Sequence, residues 1–245
     1  MPTMNSSQPF RHAVRTGLKA AKANRIPAIL LWFFGLTLIV AYSQVPSVHH
    51  LLEQLREVKE QWGLIFSAIS TALVAGLIPP VISKLAGQEQ ADLSGPYLVS
   101  NLIFWAYKGI EVDLLYRLQA IMFGDSPHAG TVAAKVAVDQ FVYAPAIGLT
   151  NVVLFYLWRE SGYSATRFRN LLGPAWFQRK VLPVLVSNWF VWIPACILVY
   201  LLPLGLQLPI QNLILCFWVL ILTFFTSSIS DQSDHGLSSE SSAKS

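Results

Sequence analysis

Charge is scarce in this chain. Asp, Glu, Lys and Arg make up 12% of its 245 residues, while 54% are hydrophobic. A soluble domain of this size carries far more surface charge, so the scarcity excludes a water-soluble globular protein and, with a mean hydropathy of +0.50, points to an integral membrane protein. Cysteine is rarer still. Cys196 and Cys216 each lie inside an apolar run, which leaves no disulfide framework and no thiolate nucleophile and does not fix the compartment. No glycine-rich phosphate loop, nucleophile elbow or paired-cysteine motif occurs, so neither an enzyme nor a cofactor is expected. No repeat of fixed period is visible, and a weak inverted symmetry stays open.

The charge that is present is unevenly placed. The formal net charge of +4 does not suggest a nucleic-acid partner; the lipid bilayer is the expected one, with self-association into homo-oligomers left open. Arg11, Arg15, Lys19, Lys22 and Arg25 precede the first apolar run without an acid among them. Arg159, Arg167, Arg169, Arg179 and Lys180 share one later loop with Glu160. By the positive-inside rule both segments belong on the cytoplasmic side. The basic start also fits an organelle presequence or the charged head of a signal peptide. Residues 42–46 offer no clear small-residue cleavage pattern, so the favoured reading is a retained anchor.

The apolar runs predict an all-α, multi-pass transmembrane bundle of five or six spans. Residues 26–43 form a short first span, and 45–62 an amphipathic connector at the interface. Residues 63–86 form a span in which Pro79 and Pro80 predict a kink or break. Residues 87–96 are a polar turn. Residues 94–112 are ambiguous, because Lys108, Glu111, Asp113 and Arg117 arrive before a bilayer thickness is covered. If this segment crosses, both basic segments fall on one side, so six spans are favoured, with Lys108 and Glu111 reaching toward the headgroups. Residues 130–158 form the next span, residues 163–180 a basic aromatic loop, and residues 181–202 and 206–225 a helical hairpin turned at Pro203, Gly205 and Pro209. Residues 1–62 therefore form a basic N-terminus with an added span and connector, 63–226 the helical domain, and 227–245 a disordered serine-rich tail.

Within 130–158 stand Lys135, Asp139 and Gln140. Asp139 is nine residues in, about 14 Å at 1.5 Å per residue, too deep to reach headgroups easily. An intramembrane charge is costly enough to suggest a use, so these three are candidates for a polar path. Lys135 and Asp139, four apart, share a helix face and could pair; a packing lock is the competing role. Pro145, Pro183, Pro194 and Pro203 bend or break the later helices, freeing carbonyls that neighbours or a hydrated cavity must satisfy. Asn188, Trp189 and Trp192 read as an aromatic girdle with one amide. His49, His50 and Glu53 have a metal-like spacing but no further ligand, so no metal site is expected.

Asp139-Gln140 followed by Ala144-Pro145, then Asn188 to Trp192, Pro194, Tyr200, Pro203 and Trp218, resembles the C-terminal half of the Mpv-type family of peroxisomal and mitochondrial inner-membrane proteins. Gly95-Pro96 with Trp105, Tyr107 and Lys108 is similar, more loosely, to that family's preceding segment. The likeness covers about residues 64–225. It implies a small helical membrane protein, usually of four spans, channel-like and weakly selective for small solutes, here with an extra N-terminal span. The chain departs from the pattern at Trp192-Ile193-Pro194, at Val199-Tyr200, and at Gln207, where the family has arginine. A divergent bacterial member in the cytoplasmic membrane is the implied setting, with an organelle membrane as the alternative. Gln207 and Asn188 join the polar-path candidates, and Pro145, Pro194 and Pro203 are read as shaping the path.

Overall fold

The computed structural model describes residues 7–85, 87 and 93–221; the predicted tail at 227–245 and most of the polar turn lie outside them. The described chain is helical, with no strand. The helices are α1 (Ser7–Ala23), α2 (Arg25–Gln44), α3 (Pro46–Trp62), α4 (Leu64–Leu85), α5 (Gly95–Phe123), α6 (Ala129–Glu160), α7 (Ala165–Leu172), α8 (Phe177–Tyr200) and α9 (Leu204–Ile221). Five of them, α2, α4, α6, α8 and α9, are long and apolar enough to cross a membrane.

Beside a buried apolar core that includes Leu31, Val199, Leu206 and Ile214, large apolar side chains are also exposed and many polar ones are buried. Ile29, Phe33, Leu36 and Val40 of α2 are exposed, as are Ile65 and Ile69 of α4 and Phe141 and Val142 of α6. Lys59, Asn101, Lys108, Asp113, Gln119, Lys135, Asp139, Gln140, Gln207 and Asn212 are buried. Apolar groups facing outward suit hydrocarbon, and polar groups turned inward find partners that lipid cannot offer.

Contacts between distant segments fix which helix ends lie together. At one end Arg159 donates to Asn101 (3.1 Å), the hydroxyls of Ser100 and Tyr163 are 2.7 Å apart, and α1 packs on the first turns of α8. At the other end the Leu204 amide donates to Asp125 (3.1 Å), and Gly205 lies against Arg56 and Glu60 of α3. Trp32 of α2 donates to the Val191 carbonyl of α8 (3.0 Å), and Gly35 faces Leu198 of the same helix, so α2 and α8 run parallel. α5 therefore extends from the first end to the second alongside the apolar helices, although its own composition does not qualify it as a span. The two basic segments, α1 and the region from Arg159 to Lys180, come to the first end together.

Helices approach closely where side chains are small, as expected when lipid supplies no hydrophobic drive for association. A Cβ on Gly109 of α5 would collide with the Ser67 carbonyl of α4. One on Gly17 of α1 would stand 2.7 Å from the Pro183 carbonyl of α8. α3 and α4 turn at Gly63, whose φ of +53° favours glycine.

Two of the proline-bearing helices contain wider, π-helical turns, whereas Pro183 and Pro194 lie in regular α-helix. In α4 a π-helical segment, Ala72–Leu77, precedes Pro79 and Pro80. In α6 another, Asp139–Gly148, contains Pro145. Such segments leave carbonyls without helical partners, and they recur at functional sites.

Candidate functional site

α6 sets the site. Its π-helical segment turns Asp139, Gln140, Ala144 and Gly148 inward, all of them buried. Pro145 has no N–H, and in i to i−5 geometry the carbonyl left over is that of Gln140. The indole of Trp189 donates to that carbonyl at 2.7 Å. Asn188, one residue earlier on α8, donates to the Gln140 side-chain oxygen at 3.3 Å. Two residues read as an interfacial girdle therefore hold the centre of α6. Their amide and indole groups satisfy backbone and side chain that lipid would leave bare.

Asp139 is held on three sides. The Tyr200 phenol donates to it at 2.7 Å, the Gln140 amide at 3.2 Å, and the Cys196 thiol lies 3.8 Å away. The expected pairing of Lys135 with Asp139 does not occur. Lys135 is fully buried, with its ammonium 3.4 Å from Asp125 and 5.7 Å from the centre of the Tyr200 ring. Its flexible stem reaches back along α6 to the loop carboxylate, and Tyr200 occupies the space beside Asp139.

Lys108 requires a second correction. It does not reach toward headgroups: it is 5% exposed, paired with Glu111, and donates to the Tyr143 hydroxyl and the Gly148 carbonyl, both at 3.1 Å. Tyr143 in turn donates to Glu111. The gain for Lys108 is a set of partners inside the bundle, including a carbonyl at the end of the π-helical segment. Snorkelling would satisfy the charge but leave Gly148 and Glu111 without it.

Lys108, Tyr143, Gly148, Asp139 and Gln140 border an open cavity of about 230 Å³ between α4, α5, α6, α8 and α9. Asp139, Gln140, Asn188, Lys108, Tyr143, Tyr116, Gln211, Asn212 and Thr71 supply its polar lining; Val112, Leu115, Leu149, Val152, Trp192 and Trp218 are among its apolar wall. Asn212 donates to Ser70 (3.0 Å) and accepts from Thr71 (3.2 Å), and Tyr116 bonds Gln211. Thus Asp139, Gln140 and Asn188 of the predicted set meet at one place. Lys135 and Gln207 do not. They lie toward the second end around Asp125, where Gln207 donates to the Leu202 carbonyl (3.0 Å) and stands 3.5 Å from Asp125.

Pro145 lies within the site's own helix segment, Pro194 inside α8, and Pro203 in the turn to α9, where its carbonyl accepts from Leu206 (2.8 Å). Sequence reasoning missed Gln211 and Asn212, an amide pair within an apolar span that invites the same question as Asp139-Gln140. His49 bonds the Tyr42 carbonyl (3.2 Å), and Glu53 accepts from the Tyr42 phenol (2.7 Å) and pairs with Arg56; among the described residues no group of His, Cys, Asp or Glu is placed to hold a metal.

No protein-family model, curated protein or solved structure matches the chain.

Proposed function

We propose that this protein is a channel-like membrane protein giving small solutes weakly selective passage, with Asp139 and Gln140 on the polar path and Pro145, Pro194 and Pro203 shaping it. The observation that supports this reading is a largely apolar cavity into which Lys108, Asp139, Gln140, Asn188, Gln211 and Asn212 bring polar groups, among helices whose outer faces are apolar. A bundle that needed only to hold together in lipid would fill that space with apolar side chains. The likeness to the Mpv-type family carries the same expectation, with α2 as the added span. The reading includes no catalysis. It places the chain in a bacterial cytoplasmic membrane, or alternatively an organelle membrane, with the first end of the bundle on the cytoplasmic side.

Liposome flux tests it. Purified protein reconstituted into vesicles is expected to speed the loss of a small trapped polyol, and Asp139→Asn, with its fold intact by circular dichroism, to slow it. A wild-type protein that leaves vesicles impermeable to small solutes sinks the reading. The competing role, a non-conducting structural or interaction protein, draws on the bonds from Tyr200 and Gln140, which already engage Asp139 as a packing tie would. Six crossings belong to this proposal, α5 being the sixth. Reporter fusions at the N-terminus and at residue 245 are expected on one side, and opposite sides would contradict it.

A further inference from the structure

α1 is a helix with two unlike faces. Ala13, Gly17 and Ala21, at i, i+4 and i+8, are buried, and the helix packs on Leu182–Tyr200 and on Phe177–Val181. At about 100° per residue, Arg11, Arg15, Lys19 and Lys22 fall on the opposite side. All four are exposed. No acid occurs between residues 7 and 23, and none of the four forms an ion pair among the described residues. Phe177–Val181 contributes Arg179 and Lys180, also exposed and without an ion pair among the described residues. The contact with Pro183 and Val186 lies only three to six residues past Lys180, within about 9 Å along the helix, so the packed face sits where α8 begins its apolar run. α2 starts at Arg25 directly after Asn24.

We propose that this basic face is a docking surface for anionic phospholipid headgroups at the end of the bundle where α2 and α8 enter the membrane. Six cations that form no ion pair among the described residues stand beside two apolar helices, and an exposed Leu18 flanks the basic arc where acyl chains would begin. A headgroup phosphate supplies the missing charge, and its acyl chains occupy the apolar surface below. A soluble acidic partner would meet the charge but leave the exposed Leu18 without a cover.

Native mass spectrometry of the full-length protein in detergent tests this, with phosphatidylglycerol and phosphatidylcholine of matched chains. The wild type is expected to retain phosphatidylglycerol over phosphatidylcholine. The combined Arg11→Gln, Arg15→Gln, Lys19→Gln and Lys22→Gln variant is expected to lose that preference by about tenfold or more. Arg11→Lys with Arg15→Lys should keep it, since charge and not fork geometry is invoked. If the neutral variant does not fold, the wild-type preference must still weaken as ionic strength rises. Equal retention of the two lipids by the wild type, an unchanged preference in the folded neutral variant, or displacement of the lipid by inorganic phosphate at matched concentration would overturn the proposal.

Discussion

The indole N–H of Trp189 donates to the backbone carbonyl of Gln140 at 2.7 Å, across helices 49 residues apart. That carbonyl is the one Pro145 leaves open in the π-helical geometry of α6, so one bond both excuses the proline and anchors α8 to the cavity wall. Trp189→Phe keeps the ring and removes the donor. We expect a loss of about 1–3 kcal/mol, the cost of an unsatisfied buried acceptor. Pro145→Ala restores a helix N–H, so Trp189→Phe should cost less in that background. A double-mutant cycle on thermal unfolding in detergent measures the difference, and additive costs would refute the pairing.

Lys59 and Asp113 form an ion pair at 2.7 Å with both side chains almost fully buried, and Ser67 donates to the same carboxylate at 2.9 Å. Removing one partner strands the other charge. Asp113→Leu should therefore destabilise by about 3–5 kcal/mol, whereas Asp113→Leu with Lys59→Met should recover much of it. Ser67 keeps a second acceptor at the Gly63 carbonyl in either variant. Unfolding midpoints compare them, and a double variant no more stable than the single one would count against this account.

Gly109 and Gly130 predict opposite outcomes for the same substitution. At Gly109 an added methyl meets the Ser67 carbonyl and, at 2.7 Å, the Thr71 hydroxyl; at Gly130 nothing lies within 4 Å. Gly109→Ala is expected to cost about 1–3 kcal/mol by forcing α4 and α5 apart. Gly130→Ala should be neutral or stabilising by up to about 1 kcal/mol through helix propensity. Equal effects in thermal unfolding would mean that α4 and α5 do not touch there.

Glu53 lies on the connector helix outside the apolar spans. The hydrogen bond from Tyr42 holds its carboxyl below the usual carboxylate range; burial opposes this, and the nearby Arg56 adds to the lowering. A carboxyl depressed in the folded state stabilises above its unfolded pKa, and that contribution is lost as pH falls through the folded pKa. Acidification should therefore loosen the corner between α2 and α3, speeding amide exchange in α3. Glu53→Gln should show the loosened exchange at neutral pH and little further change on acidification. A wild-type corner indifferent to acid would remove Glu53 from this role.

The amino-acid order was enough for the helical class, for α2, α4, α6, α8 and α9 as apolar segments, and for Asp139 and Gln140 as polar groups inside a span. Hydrophobic length and the cost of burying polar atoms are local properties, readable along one helix at a time. What a lone helix does not reveal is which neighbour meets its polar face. Lys108 could have turned to headgroups or inward, and the choice depended on Tyr143 and Gly148, forty residues away at most. Asp139 had a same-face lysine in sequence, yet a phenol from α8 reached it first. The union of the two basic segments depended on α1 fitting a glycine against Pro183, a matter of shape between elements far apart in the chain.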